Sequence, residues 1–138
     1  QQPPYPLSTD FFPYLQANTP DSLKYLINEF YKDIIIYDFN IKSAEMKRSD
    51  QGWQITLKTD NKKKRADQQG KEKELPLNQY VDIAVYEKGN IKPIYLKKHL
   101  LTGNTNITLN VSSKPEKITV NPLRMLIDKD FSNDTFKF

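Results

Sequence analysis

The chain has 138 residues, no cysteine and one histidine, and its 21 basic against 17 acidic side chains leave a net charge of +4. That length suits one domain, and 37% hydrophobic with 12% aromatic residues supplies a core that a disordered chain lacks. Disulfides and thiolate metal sites are excluded, and no apolar run nears the roughly 20 residues of a membrane span.

Gln1 is not a start methionine and "QQPPYPL" has no signal-peptide pattern, so the chain reads as a fragment or a processed product. "STDFFPYLQ" predicts a short helix capped by Ser8 or Thr9, with Pro13 tolerated only near its first turn. "NTPDSLKYLINEFYKDI" predicts the clearest helix. Thr19 would cap it, Pro20 would take its first position, and Asp21 would meet the positive end of the dipole. Leu23, Leu26, Ile27, Phe30, Tyr31 and Ile34 recur at helical spacing and predict one apolar face.

After Asp33 the period falls to two. Ile35, Tyr37, Phe39 and Ile41 alternate as a strand. Ala44 and Met46 continue on the other parity, which predicts a bulge near Lys42 or Ser43. "SDQGW" is a turn. Further strands follow around Trp53–Ile55–Leu57–Thr59, Val81–Ile83–Val85, Ile94–Leu96–Leu100, Ile107–Leu109–Val111 and Ile118–Val120, with turns at "EKGN" and "TGNTN". Leu123 to Ile127 reads as a last short strand or a turn, and the tail "KDFSNDTFKF" as a fraying end. The pattern predicts a mainly β chain. We expect an immunoglobulin-like antiparallel β-sandwich of about seven strands over residues 34–138, with one or two short helices in residues 1–33 packing on it.

Positions 62–73 hold six basic and two acidic residues, so the whole net charge is local to that segment. Lys62, Lys63, Lys64 and Arg65 could form a patch for an anionic partner. The competing expectation is the outer end of a β-hairpin, running from Trp53 through Arg65, turning at "ADQQG" and returning over Leu77 to Tyr86. There lysines would blunt an exposed edge. A nucleic-acid binder usually interleaves aromatics with its basic residues, and none lies between Trp53 and Tyr80.

Few residues invite chemistry. His99 is the sole histidine, so a zinc site built on several histidines cannot form and any Ser-His-Asp triad would have to use it. Its strand position predicts a half-exposed structural role. Asp128, Asp130 and Asp134 cluster in "IDKDFSND", but the glycine and closing glutamate of an EF-hand loop are absent, which favours a capped turn over a cation site. Asp38 and Asp82 are expected to face solvent or bind backbone. Tyr80, Tyr86 and Tyr95 could line one sheet face as a strip for a sugar or a protein partner, or fill the core. The triplets at Asn106, Asn110 and Asn133 fit the glycosylation pattern and also arise by chance.

Three longer phrases carry a resemblance: "PPYPLSTDFFPYLQANTPDSLKYLINEFYKDIIIYD", "KKKRADQQGKEKELPLNQYVDIAVYEKG" and "PIYLKKHLLTGNTNITLNVSSKPEKITVNPLRMLIDKDFSND". Together they resemble the C-terminal part of large bacterial proteins. Those proteins fuse an ABC transporter permease-like membrane region to a zinc aminopeptidase domain of the aminopeptidase N type. The likeness is best over Ala66 to Glu74 and Val120 to Asp130. Where that family has a glycine-rich turn after its Ala-Asp pair, this chain has Gln68, Gln69 and Gly70. The resemblance implies an upstream His-Glu-x-x-His zinc site. That motif is missing here, so no catalytic or metal residue carries over and no cofactor is expected in this chain. It further implies a non-catalytic C-terminal accessory module that supports stability or substrate access. Its partner would be the upstream peptidase domain of the same polypeptide, on the periplasmic or extracytoplasmic face of a bacterial membrane. Neither nucleic acid nor direct membrane insertion is expected. The alternative is an independent peptide- or glycan-binding module using Tyr80, Tyr86 and Tyr95.

Overall fold

The structure is a computed structural model that describes residues 7–27, 29, 33–67 and 69–138. Its strands form two four-stranded sheets packed face to face as an antiparallel β-sandwich. They are β1 (Ile34–Ser49), β2 (Gly52–Ala66), β3 (Glu72–Leu75), β4 (Gln79–Glu87), β5 (Tyr95–Leu101), β6 (Asn104–Val111), β7 (Pro115–Val120) and β8 (Thr135–Lys137). The first sheet is built on the long β1–β2 hairpin. The other edge of β2 is shared: Trp53–Asp60 pairs with β6, and Lys63–Ala66 with β3. The second sheet runs β5–β4–β7–β8.

Period-two hydrophobicity decides which faces meet. Ile35, Tyr37, Phe39, Ile55, Leu57, Ile107 and Leu109 from the first sheet pack on Val81, Ile83, Val85, Leu101, Ile118 and Val120 from the second. Fully burying one such aliphatic side chain is worth about 1.5–3 kcal/mol. The expected bulge is present. Ile41 pairs with Thr59 and Ser43 with Lys58, so Lys42 is the extra residue. That one-residue shift turns the inward parity from Tyr37 and Phe39 to Ala44.

The hairpin turn needs a glycine. Gly52 has φ of 123°, outside the range of L side chains, and a Cβ there would collide with the Val111 carbonyl where β6 ends.

The structure corrects several expectations. In β5 the inward residues are Tyr95, His99 and Leu101, whereas Leu96 and Leu100 point outward and are exposed. The cause is register. Leu101 lies opposite Gln79 and His99 opposite Val81, both of them core-facing residues of β4. The tail does not fray. Residues 127–133 run along the free edge of β1, and β8 then pairs with β7. The Ile127 and Asn133 carbonyls accept the N–H groups of Tyr37 (2.8 Å) and Ile41 (2.9 Å). The Asp128 carboxylate accepts that of Phe39 at 3.3 Å. The segment Leu123 to Ile127 forms no strand, and Asn121 at φ of 53° turns the chain into it.

The N-terminal elements come in the predicted order but with different ends, and residues 28 and 30–32 of the second expected helix lie outside the described residues. Helix α1 (Ser8–Ala17) is followed by a 3₁₀ turn (Asp21–Leu23) and the single-turn helix α2 (Lys24–Ile27). Leu7, rather than Ser8 or Thr9, holds the cap position of α1, and its N–H donates to the Asp10 carboxylate at 2.8 Å. Pro13 lies inside α1 rather than in its first turn. The Thr19 hydroxyl donates back to the Leu15 carbonyl at 2.7 Å, so it finishes α1 instead of starting the next helix. Of the expected apolar face, Ile27 is buried, Leu23 and Ile34 are exposed, and Phe30 and Tyr31 lie outside the described residues. Among the described residues no helix is long and apolar enough to cross a membrane.

Candidate functional site

The basic segment is the outer end of β2, as the hairpin expectation had it, but the returning strand is β3 and not Leu77 to Tyr86. Its four cations have different fates. Side chains alternate across a strand, so Lys63 and Arg65 follow the core-facing parity of Ile55, Leu57 and Asn61. Lys63 Nζ pairs with the Glu29 carboxylate, and both side chains are largely buried. Arg65 pairs with Asp33 at 2.8 Å. On the opposite parity Lys64 meets Glu72 at 2.6 Å, and Lys129 from the tail meets the same carboxylate at 2.8 Å. These two hydrogen-bonding lysines hold Glu72 down to about 2. Lys62 is exposed. The expected patch is therefore largely consumed in ion pairs, two of them made with the N-terminal segment.

Behind Lys63 lies a buried polar cluster. The Tyr37 hydroxyl donates to Glu29 Oε2 at 3.1 Å and lies 3.5 Å from Gln79 Oε1. Lys63 Nζ sits 5.7 Å from the centre of the Tyr37 ring. Burial, and then the Glu29 carboxylate, push the Tyr37 phenol well above its ordinary range, so it stays protonated and serves as a donor. The cluster ties residue 29 to the inner face of the β1–β2 arm. It is a clamp, with no free base in it.

The three tyrosines do not share a face. Tyr80 and Tyr86 stand on the outer side of β4, whereas Tyr95 lies opposite the core residue Val85 and points inward. Tyr80 is 63% exposed and neighbours Leu100 across the strands. Tyr86 is half-buried beneath Lys117, whose Nζ is 4.6 Å from the ring centre. The Tyr95 hydroxyl is hydrogen-bonded to His99 Nε2 at 2.7 Å. Burial and then Lys97 lower the His99 value, which favours the neutral imidazole. A hollow of about 190 Å³ opens beside Tyr80, between Leu26, Asp82, Lys98 and Met125.

The acidic cluster is occupied by backbone. Asp128 accepts the N–H groups of Phe39 and Asp130, and Asp130 accepts both the N–H and the hydroxyl of Ser132. Burial pushes Asp128 up to about 6 against the pull of its two N–H donors. Asp82 pairs with Lys98 at 3.2 Å, and Asp38 accepts the Asn133 amide at 3.3 Å. Among the described residues no group of three or more His, Cys, Asp or Glu is placed to hold a metal.

Sequence reasoning missed one surface. Leu7, Phe11 and Tyr14 are 67%, 57% and 71% exposed along α1. Their spacing of four and then three residues is the signature of one helix face, and it was available in "LSTDFFPY". No family model, curated protein or solved structure matches the chain.

Proposed function

We propose that this chain is a non-catalytic accessory β-sandwich that docks through α1 onto a zinc-peptidase domain of the same polypeptide, supporting its stability or substrate access. The observation that carries this reading is the exposed apolar row Leu7–Phe11–Tyr14 on a helix that packs little on the sandwich. Contiguous exposed apolar side chains mark interaction surfaces far more often than scattered ones do. Large aromatics at the centre of an interface supply much of its energy. The clamp of Glu29 and Asp33 on the basic arm supports the same reading, since it anchors the base of the N-terminal segment while α1 presents its face outward. The resemblance to permease–aminopeptidase fusions supplies the identity of the partner. It also supplies the extracytoplasmic location.

Calorimetric titration of this chain into the peptidase region encoded upstream of it tests the reading. Saturable binding is expected, weakened about tenfold or more by Phe11→Asp. Absence of binding, or binding indifferent to Phe11→Asp with the fold intact by circular dichroism, would overturn it.

A further inference from the structure

The sandwich closes one of its sides and leaves the other open. On the closed side residues 127–133 cover the edge of β1. On the open side β5 pairs only with β4 among the described residues. An edge strand presents alternate N–H and C=O groups without partners, which is a template for one more strand. The edge of β6 is also open, but its exposed side chains Asn104, Asn106, Thr108 and Asn110 are neutral and select nothing.

The side chains of β5 do select. Lys97 and Lys98 are neighbours in its middle, both exposed and on opposite faces of the strand, with Lys98 also reaching Asp82 of β4 at 3.2 Å. A second copy pairing antiparallel here would set Lys98 on Lys98, or Lys97 on Lys97, and like charges directly opposite are destabilising. An incoming strand with acidic residues at the same places is favoured instead. Outward-facing Leu96 and Leu100 flank Lys98, and Leu100 continues the apolar row of Tyr80. They ask for apolar residues on either side of the acids. On the inward side the Tyr95–His99 hydrogen bond holds both rings in place, so the edge is preformed.

We propose that the β5 edge accepts an extended strand of a partner protein, in which adjacent acidic residues are flanked by apolar ones. Backbone pairing would supply affinity, and Lys97 and Lys98 would choose the occupant. This surface lies on the sandwich itself and does not depend on the docking of α1.

The probe is a synthetic peptide as long as β5, with two central glutamates between valines. Its controls replace the glutamates by lysines or methylate alternate backbone nitrogens. Binding by the acidic peptide is expected, with slowed amide exchange confined to residues 95–101 and their β4 neighbours. Lys97→Glu should weaken it about tenfold, and backbone methylation should abolish it. Methylation alters only the peptide, so its outcome holds whether or not a protein variant folds. The proposal is overturned by absence of binding, by equal binding of the lysine peptide, by binding that survives methylation, or by protection centred away from β5.

Discussion

Asp128 shows how a residue serves the fold at a cost that varies with pH. Its carboxylate satisfies the N–H of Phe39 deep in the sheet edge, and desolvation lifts its value from the ordinary 3.8 to about 6. Between those values the folded chain holds a proton that the unfolded chain has released. The stability contributed by this group therefore falls as pH rises through that window. Glu72 runs the opposite way. Its value of about 2 lies below the ordinary 4.5, so its contribution is present above that value and is lost as pH falls towards 2. Replacing Asp128 by Asn should flatten the loss of stability between about pH 4 and pH 6, read from urea melts across that range. Asp134, also raised by burial, keeps part of the slope. An amide also leaves one N–H donor facing an amide nitrogen, which lowers stability at every pH and does not alter the slope. An unchanged slope would assign the titration to other groups. Gly52 offers a test with no titration in it. Gly52→Ala meets both a forbidden φ and the Val111 carbonyl, and should cost about 3 kcal/mol or more in chemical denaturation.

At the scale of elements, the basic arm and the N-terminal segment stabilise each other through pairs of unequal value. Lys63 and Glu29 are largely buried, and Glu29 also takes the Tyr37 hydroxyl. Lys63→Met leaves a carboxylate without its cation in a dry site, and should cost about 3 kcal/mol. Arg65 is half exposed, and Arg65→Ala should cost at most about 1 kcal/mol, because solvent screens that pair. Thermal melts of the two variants side by side check the contrast, and equal losses would deny the clamp its buried character. The sequence could not disclose this contrast, since Glu29 and Lys63 stand 34 positions apart and nothing local links them. It did disclose β1, β2, β4, β6 and β7, whose period-two apolar pattern, shifted once at the β1 bulge, matches the pleat. β5 was misread because its leucines at 96 and 100 outvoted the paired register that sends Tyr95, His99 and Leu101 inward. The helix predicted from Thr19 begins later, at Asp21, because tertiary and neighbouring contacts decide such boundaries. Thr19 spends its hydroxyl on α1, and Ile34 is drawn into β1 opposite Ala66.

For the whole molecule, the tail decides whether the β1 edge of the sandwich is covered. The tail "KDFSNDTFKF" reads as a fraying chain end, and the turn at Asn121 leads into it. The side chains of Asn121 and Asp130 are instead spent on backbone. The Asn121 amide donates to the Leu126 carbonyl at 2.9 Å and accepts its N–H at 3.3 Å, which steers residues 127–133 onto β1. Asp134 then returns the chain to the second sheet, its carbonyl accepting the Val120 N–H at 2.9 Å. The tail is thus a strap between the two sheets with two separable tasks. Removing residues 135–138 deletes β8 and the partly buried Phe136 and Phe138, but leaves the β1 edge covered. That truncation should lower the melting temperature while the chain stays a monomer in sedimentation velocity. Removing residues 127–138 also strips the partners of the Tyr37, Phe39 and Ile41 N–H groups. A long strand with its edge bared pairs with other chains. The longer truncation should therefore form oligomers that grow with concentration, beyond what its loss of stability alone would bring. Lys42 and the bulge lie beyond that stretch, so pairing should centre on residues 37–41, read as amide protection in the oligomer. Oligomers protected elsewhere, or a longer truncation that remains monomeric, would mean that the strap adds stability without guarding the edge.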